Sequence, residues 1–167
     1  MSVDEPAAIA FVGLGSNLAD PLNQVRQALE ELEAISGTCV TACSSFYRTT
    51  PVGYLEQADF INAVASVKTT LQPRALLDAL LAIENRHGRQ RTTRNAPRTL
   101  DIDLLLYGQE VLDQDGLTLP HPRLHERAFV LAPFVEIAPE AMVPGRGRVR
   151  DLLAQVDCSG VSKLDAA

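Results

Sequence analysis

Apolar residues recur along the chain in two spacings, which predict strands and helices in turn. Residues 8–15 form a short apolar run that ends at glycine, and this run predicts a strand followed by a turn. After Asp20 and Pro21 the apolar positions fall every three or four residues, which predicts an amphipathic helix that Asp20 caps and Gly37 closes. The apolar face of this helix consists of Leu22, Val25, Leu29, Leu32 and Ile35.

The middle of the chain continues this alternation. Residues 38–49 are rich in Thr, Val, Cys, Phe and Tyr and predict a strand, and residues 60–69 alternate between apolar and polar positions as a second strand does. The intervening residues 50–57 predict a loop. Pro73 opens a second predicted helix, which ends at Gly88.

The rest of the chain predicts one more core strand. Residues 89–98 lack hydrophobic periodicity and predict an exposed loop, whereas residues 99–107 predict a strand. The apolar face of this strand consists of Leu100, Ile102, Leu104 and Leu106. Residues 108–119 predict a hairpin or turn, and residues 124–135 predict a helix or core segment that is broken at Pro133.

The predicted order of elements is strand, helix, strand, strand, helix, strand. This order is typical of the ferredoxin-like βαββαβ arrangement, an α+β fold in which helices pack on one face of an antiparallel sheet. A chain of 167 residues fits a single domain over residues 1–167. Its core covers about residues 8–142, and the tail at 143–167 carries no recognisable chemistry.

Composition excludes several classes of protein. With 46% hydrophobic and 22% charged residues, the chain is neither disordered nor fibrous, and its apolar runs are too short to span a membrane. Its first residues have no basic region typical of a secretory signal, and its three cysteines are an odd number. We therefore expect free, buried or half-buried thiols and a cytoplasmic monomer. The net charge of −6 argues against nucleic-acid or anionic-membrane partners.

The basic residues are concentrated in one place and are nearly all arginines. Between residues 86 and 98 the chain has five arginines and no acidic residue. Arginine presents a rigid fork of N–H donors that suits phosphate or carboxylate groups. A local arginine cluster in an acidic protein indicates that the chain binds a small polyanion.

Two acidic residues directly follow this cluster on a predicted strand. Asp101 and Asp103 flank Ile102, so their side chains are expected on one face of the strand, about 6.6 Å apart. Two neighbouring carboxylates repel unless water or a cation neutralises them, and carboxylate oxygens suit Mg²⁺. An isolated Asp-x-Asp is more often a solvated strand face. The adjacent arginines favour a site that holds and neutralises a polyphosphate.

Other candidate residues allow two interpretations each. Gly13-x-Gly15 is a weak match to a dinucleotide-binding loop, and a glycine turn at a strand end explains it better. His121 lies between two prolines and is either structural or a donor to a phosphate oxygen. Phe60 and Phe129 are either core residues or two aromatic walls for a flat ring.

The segment from Arg94 to Leu105, RNAPRTLDIDLL, resembles the signature of the 6-hydroxymethyl-7,8-dihydropterin pyrophosphokinases of folate biosynthesis. Shorter matches occur in the family's order and extend the resemblance over about residues 8–142. They lie at 15–18, 45–49, 59–62, 83–84, 88–91, 119–121 and 127–129. The chain departs from the family at Asn95, where a Trp is frequent, and near Gly116, where a basic residue is frequent.

The resemblance implies an ATP- and Mg²⁺-dependent enzyme that transfers pyrophosphate from ATP to the hydroxymethyl group of the dihydropterin and releases AMP. It implies two Mg²⁺ ions held by Asp101 and Asp103, with Arg89 and Arg98 as further catalytic residues. The implied ATP-binding residues are Glu84, Arg89, Arg91, Arg98, Leu104, Thr118, His121 and Arg127. The implied pterin-binding residues are Thr49, Thr50, Val52, Phe60, Asn62 and Phe129.

Two other classes of function stay open at this point. One is a nucleotidyl-transferring or cyclising enzyme on a similar frame, which releases pyrophosphate rather than AMP. The other is a non-catalytic module that binds a nucleotide or phosphorylated ligand. An RNA-binding domain of the same fold is disfavoured by the net charge of −6 and by the absence of an aromatic-rich strand.

Overall fold

An antiparallel sheet of six strands forms the centre of the structure, a computed structural model that describes residues 7–18, 20–50, 59–88 and 100–164. The strands of the described residues are β1 (Ala8–Ser16), β2 (Thr38–Cys43), β3 (Tyr47–Thr49), β4 (Phe60–Thr69), β5 (Asp101–Tyr107), β6 (Leu112–Gln114), β7 (Leu117–Leu119), β8 (Met142–Val143), β9 (Gly147–Arg148) and β10 (Val161–Lys163). The helices are α1 (Pro21–Glu33), α2 (Pro73–Arg86), α3 (Ala128–Ile137) and α4 (Val149–Leu153), with a 3₁₀ turn at Leu124–Glu126.

The central sheet has the order β10-β3-β4-β1-β5, and β2 also pairs with β4. Every pair in it is antiparallel. β6 with β7 and β8 with β9 form two separate hairpins. The structure thus confirms a mixed fold of helices and an antiparallel sheet.

The two faces of the sheet carry two different hydrophobic cores. On one face, α1 and α2 bury apolar residues against alternate positions of β1, β4 and β5. On the other face, α3 and α4 pack through Phe134 and Leu152 onto the remaining positions, and the Phe134 ring lies 4.6 Å from that of Phe11. The prediction that helices cover one face is therefore wrong for α3 and α4, whose apolar residues need the second face.

Several predicted boundaries differ from the structure. The predicted strand over 38–49 is two strands, because the chain leaves the ladder at Ser44 and Ser45 to make side-chain bonds. Pro133 does not break α3 but lies buried inside it. Asp20 begins α1 without a side-chain cap and adopts a left-handed backbone instead.

The predicted apolar face of β5 holds for Leu100, Ile102 and Leu104 but not for Leu106. Leu106 pairs with Phe11 and Leu104 with Val12, so Leu105 is an extra residue on β5. Such a bulge reverses the alternation of side chains beyond it. Leu106 therefore joins the core beneath α3.

Two further expectations concern cysteines and membranes. The three cysteines are free as predicted, but Cys39 and Cys43 are exposed rather than buried. Among the described residues, no helix has the length and hydrophobicity that crossing a bilayer requires.

A single carboxylate joins α3 to the strand β3. Glu136 accepts hydrogen bonds from the Ser45 backbone N–H (2.9 Å), the Ser45 hydroxyl (2.9 Å) and the Tyr47 hydroxyl (2.7 Å). Partial burial alone would raise the pKa of Glu136, but these donors and the nearby Lys163 charge lower it below 4.5. Glu136 therefore stabilises the fold in its ionised form.

We expect Glu136→Gln to lower the free energy of unfolding by about 1 kcal/mol near neutral pH, because ionised acceptors make the stronger bonds. The contribution of a carboxylate with a lowered pKa is present above the pKa of the unfolded chain and is lost as pH falls through the folded-state pKa. The difference from wild type should therefore shrink below about pH 4. Urea unfolding at several pH values measures it. Glu30→Gln, on the exposed side of α1, is the control, and a pH-independent difference would contradict the assignment.

Candidate active site

One row of residues crosses four strands of the central sheet. Tyr47 on β3 lies opposite Asn62 on β4. Asn62 also lies opposite Gly15 on β1, and Gly15 lies opposite Asp101 on β5. Residues directly opposite in antiparallel strands point to the same face. The side chains of this row therefore share the face that carries α3.

The two rows beside it add further candidates to the same face. Asp103 lies opposite Gly13, and Thr49 lies opposite Phe60. Asp101 and Asp103 are both half-buried on this face, while Ile102 between them is buried in the core beneath α1 and α2. The sequence prediction that the two carboxylates project together is borne out by this geometry.

The glycines of this region lie inside β1 rather than in a turn after it. β1 continues to Ser16, so Gly13 and Gly15 are ladder residues, and the predicted glycine turn at the strand end is wrong. Because glycine has no side chain, the backbone at Gly15 leaves room for the Asn62 amide, whose Nδ2 would lie only 2.7 Å from a Gly15 Cβ. Strand spacing sets Asn62 and Asp101 about 10 Å apart.

The bulge in β5 places a histidine beside the carboxylates. The carbonyl of the extra residue Leu105 accepts a hydrogen bond from the His121 backbone N–H (2.9 Å). The His121 Nδ1 accepts a bond from the Arg123 N–H (3.1 Å), so the ring proton is assigned to Nε2. That Nε2 lies 4.0 Å from the Asp103 Oδ1.

His121 is neutral at physiological pH. Burial lowers its pKa to about 4, assisted by the positive charge of Arg127, although Asp101 acts in the opposite direction. The neutral ring presents an Nε2–H donor toward the Asp103 side of the site.

Arg127 brings a positive charge to the same place at the N-terminal end of α3. Its Nη1 lies 3.6 Å from the Asp103 Oδ2, and its guanidinium carbon lies 5.6 Å from the centre of the Phe129 ring. This is cation–π distance, so Arg127 connects the carboxylate pair to the aromatic ring.

Glu84 holds β5 from the opposite side. Its side chain is only 1% exposed, and its Oε2 accepts a hydrogen bond from the Ile102 backbone N–H at 2.7 Å. β5 is the edge strand of the described sheet, so this carboxylate substitutes for a neighbouring strand at the residue between the two aspartates. Sequence reasoning assigned Glu84 to ATP and missed this bond, which no local pattern indicates.

The opposite end of the row contains two buried polar groups that no group in the described part of the chain satisfies. Thr49 and Asn62 are each 7% exposed, and within the described part of the chain the Thr49 Oγ1 and the Asn62 Oδ1 have no hydrogen-bond partner. A buried polar atom without a partner is costly unless a ligand or water satisfies it. Phe60 and Phe129, both half-buried, lie on the same side of the sheet.

The remaining predicted site residues are more dispersed. Leu104 is buried in the core beneath α1 and α2, Thr118 is exposed on β7, and Thr50 is exposed after β3. The residues outside the described part of the chain are Arg89, Arg91, Arg98 and Val52. The structure thus brings Asp101, Asp103, His121 and Arg127 together.

The chemistry of the carboxylate pair fits Mg²⁺. Within the described residues, no three His, Cys, Asp or Glu side chains converge as a metal cage. Two half-buried carboxylates supply only part of an oxygen shell. This donor set suits Mg²⁺, which retains waters and takes further oxygens from phosphates.

Comparison with known proteins identifies the family. The model of the 7,8-dihydro-6-hydroxymethylpterin-pyrophosphokinase (HPPK) family matches residues 11–139. The chain belongs to this family. The family and reaction predicted from the sequence, pyrophosphoryl transfer to hydroxymethyldihydropterin in folate biosynthesis, are thereby confirmed.

Relatives of the pyrophosphokinase match over most of its length. The 2-amino-4-hydroxy-6-hydroxymethyldihydropteridine pyrophosphokinase of Haemophilus influenzae is 43% identical over 156 residues, which is 93% of this chain and 98% of that protein. The enzyme of the same name from Bacillus subtilis is 46% identical over 129 residues, 77% of each chain.

Solved structures support the fold alone, because their sequences are distant. A crystal structure of an HPPK-DHPS protein with substrates has a TM-score of 0.70 at 14% identity, over 90% of this chain and 43% of that chain. An HPPK-DHPS of Plasmodium falciparum has a TM-score of 0.71 over 92% of this chain and 46% of that chain. The pyrophosphokinase thus spans under half of these longer chains.

The bond from Glu84 to β5 generates a prediction for the pyrophosphokinase. Glu84→Leu removes the acceptor and leaves the buried Ile102 N–H without it, which should lower the free energy of unfolding by about 1–3 kcal/mol. Exchange of the Ile102 amide hydrogen should become faster. Glu84→Gln retains an oxygen acceptor and should preserve most of the protection. Amide exchange followed by NMR measures both variants, and an Ile102 amide as protected in Glu84→Leu as in wild type would contradict the anchoring role.

Proposed function

We propose that the pyrophosphokinase transfers the β,γ-pyrophosphoryl group of ATP to the hydroxymethyl oxygen of 6-hydroxymethyl-7,8-dihydropterin and releases AMP. The observation that carries this proposal is the single row across the sheet. Asp101 at one end offers a carboxylate, Asn62 at the other offers a buried Oδ1 without a hydrogen-bond partner among the described residues, and Gly15 between them leaves room for the Asn62 amide.

The Asn62 end has the chemistry to bind the pterin. The Thr49 hydroxyl and the Asn62 amide present hydrogen-bonding groups to the amide-like edge of a flat, polar bicycle. A ligand that leaves these groups unpaired is rejected, because their desolvation stays uncompensated. Phe60 and Phe129 offer aromatic surfaces for the ring faces.

The Asp101 end has the chemistry to bind the phosphates. Asp101 and Asp103 would hold the two expected Mg²⁺ ions, which neutralise phosphate oxygens and make a bound hydroxyl easier to deprotonate. Arg127 and the Nε2–H of His121 supply donors on the same side. Arg89 and Arg98, immediately upstream, are proposed to contact the transferred group, while Arg91, Thr118, Leu104 and Glu84 are proposed nearer the nucleotide.

We also infer that the core of the enzyme is the ferredoxin-like βαββαβ unit. The strand order β5-β1-β4 followed by β2 and β3, together with α1 and α2 on one face, supports this inference. In this description β2 and β3 jointly represent the second strand, and α3 and α4 are additions on the opposite face.

The decisive assay incubates the protein with ATP, Mg²⁺ and 6-hydroxymethyl-7,8-dihydropterin and identifies the products. The proposal expects equal amounts of AMP and pterin pyrophosphate, with no turnover in the presence of excess chelator. Release of free pyrophosphate would instead indicate nucleotidyl transfer or cyclisation. Binding of both ligands without any product would indicate a non-catalytic module.

We expect Asp101→Asn and Asp103→Asn each to lower turnover at least about a hundredfold, because the metal charge acts mainly in the transition state. The affinity for ATP should fall by a smaller factor. Steady-state kinetics and equilibrium ATP binding measure the two effects. Asp113→Asn, an exposed change on β6, is the matched control and should behave as wild type. Wild-type turnover in either active-site variant would refute the metal assignment.

The close approach of the Asn62 amide to Gly15 gives a second test of the site. A Cβ at Gly15 would lie 2.7 Å from the Asn62 Nδ2, so Gly15→Ala must displace the Asn62 amide. We expect the KM for the pterin to rise about tenfold, equivalent to one lost hydrogen bond. A Cβ at Gly13 meets Leu105 at an ordinary 3.5 Å, so Gly13→Ala is the control. Equal effects of the two variants on the pterin KM would contradict the role of Asn62.

A further inference from the structure

The last strand of the chain pairs with the strand that carries Thr49. β10 forms the outer neighbour of β3 in the central sheet, with Val161 directly opposite Thr49. The family match ends at residue 139, so β10 lies beyond it, and sequence analysis found no chemistry in this tail. The pairing gives the tail a place beside the proposed pterin site.

We propose that residues 157–164 are a positioning segment for the pterin, because they hold Thr49 and Thr50 at the end of β3 in the place where the substrate is bound. The proposal rests on the proposed function. It extends the substrate site to a part of the chain outside the family match.

The strand β3 is too short to be held by one neighbour alone. It has three residues, and strands of this length have little stability without flanking partners. β4 pairs with one edge of β3 and β10 with the other. Removing β10 would leave β3 as a three-residue edge strand.

The bonds from the tail bracket β3 at both ends. The Thr50 N–H donates to the Gly160 carbonyl at 3.0 Å, and the Leu164 N–H donates to the Phe46 carbonyl at 2.9 Å. Antiparallel ladders repeat every two residues, so Arg48 and Ser162 form the hydrogen-bonded pair between them. The ladder therefore continues past the end of β3 at Thr49 to the next residue, Thr50.

The start of β3 has a second attachment in addition to β10, which its Thr49 end lacks among the described residues. At the start, Glu136 of α3 binds Ser45 and Tyr47, and this attachment does not involve the ladder with β10. At the Thr49 end, the bond from Thr50 to Gly160 fixes the backbone. Loss of β10 should therefore affect the substrate end of β3 more than its start.

The tail has its own supports, so its position is defined. The Asp157 carboxylate accepts the Ser159 N–H at 2.9 Å, and the Val161 N–H donates to the Cys158 carbonyl at 3.0 Å. These two bonds close the turn that leads into β10. Beyond β10, Leu164 packs against the hydrophobic core beneath α1 and α2.

A change in β10 should affect pterin binding more than ATP binding, because the proposed phosphate end of the site lies on a distant strand of the same sheet. β5 with Asp101 and Asp103 is three strand spacings from β3, about 14 Å. Its anchors are Glu84, His121 and Arg127, none of which belongs to the tail. A local change in β10 therefore reaches Thr49 before it reaches the ATP site.

The test compares three substitutions of the exposed Ser162 in the full chain. Ser162→Pro removes the N–H that pairs with Arg48, Ser162→Gly weakens the strand, and Ser162→Ala retains the N–H and serves as the matched control. We expect the KM for the pterin to rise about tenfold in Ser162→Pro and two- to fourfold in Ser162→Gly, with the KM for ATP within twofold of wild type. Ser162→Ala should match wild type in both.

The pattern of KM and kcat separates positioning from a loss of structure. A general destabilisation would lower the amount of active enzyme, seen as a fall in kcat with both KM values unchanged, and that outcome overturns the proposal. A parallel rise in both KM values also overturns it. Should Ser162→Pro fail to fold, Ser162→Gly decides the test, because its thermal midpoint remains measurable beside Ser162→Ala.

The proposed function and this inference fail in different ways. A wild-type chain that makes AMP, together with Ser162 variants that share its pterin KM, overturns the inference alone. A wild-type chain that makes no AMP from ATP and the dihydropterin overturns the proposed function and the inference with it. Direct pterin titration of the wild type and Ser162→Pro, followed by fluorescence, gives an affinity ratio that must agree with the KM ratio.

Discussion

The repulsion between two carboxylates on one strand face is the constraint around which this site is built. Asp101 and Asp103 project together because Ile102 between them must enter the core, so alternation alone brings the two charges to the same side. Arg127 and the Nε2–H of His121 lie on the Asp103 side and offset part of this charge. A carboxylate pair of this kind suits a divalent cation, and among the described residues no third carboxylate ligand converges on it, which leaves room for phosphate oxygens.

In the proposed site, pterin recognition and phosphate chemistry share one sheet, so the positions of small residues matter as much as those of polar ones. The row from Asn62 through Gly15 to Asp101 lies on backbone fixed by hydrogen bonds on both sides. A site on strands holds its groups more rigidly than one on loops. A Cβ at Gly15 would lie 2.7 Å from the Asn62 Nδ2, so glycine in mid-strand, normally unfavourable, leaves room here for the Asn62 amide.

The sequence predicts the parts of this arrangement that follow a local period. Alternation identified the carboxylate face of β5, and the prolines at positions 21 and 73 marked the starts of both core helices. Sequence analysis failed where a long-range contact overrides the local period. The extra residue Leu105 reverses the alternation of side chains along β5, and Gly13 and Gly15 continue a strand instead of ending it. β10 was missed because three residues that pair with a strand over a hundred positions earlier carry no periodic signal.

The bulge at Leu105 and the buried Glu84 show how an edge strand can hold the candidate site in a fixed geometry. In the described sheet β5 has a partner strand on one side only, so its other backbone groups need partners from elsewhere. Glu84 supplies one at Ile102, and the N–H of His121 supplies another at Leu105. Each replacement serves the site, since the first holds the backbone between the carboxylates and the second brings the histidine to them. A central strand would have satisfied these groups with a neighbouring ladder and left neither side chain in reach of the aspartates.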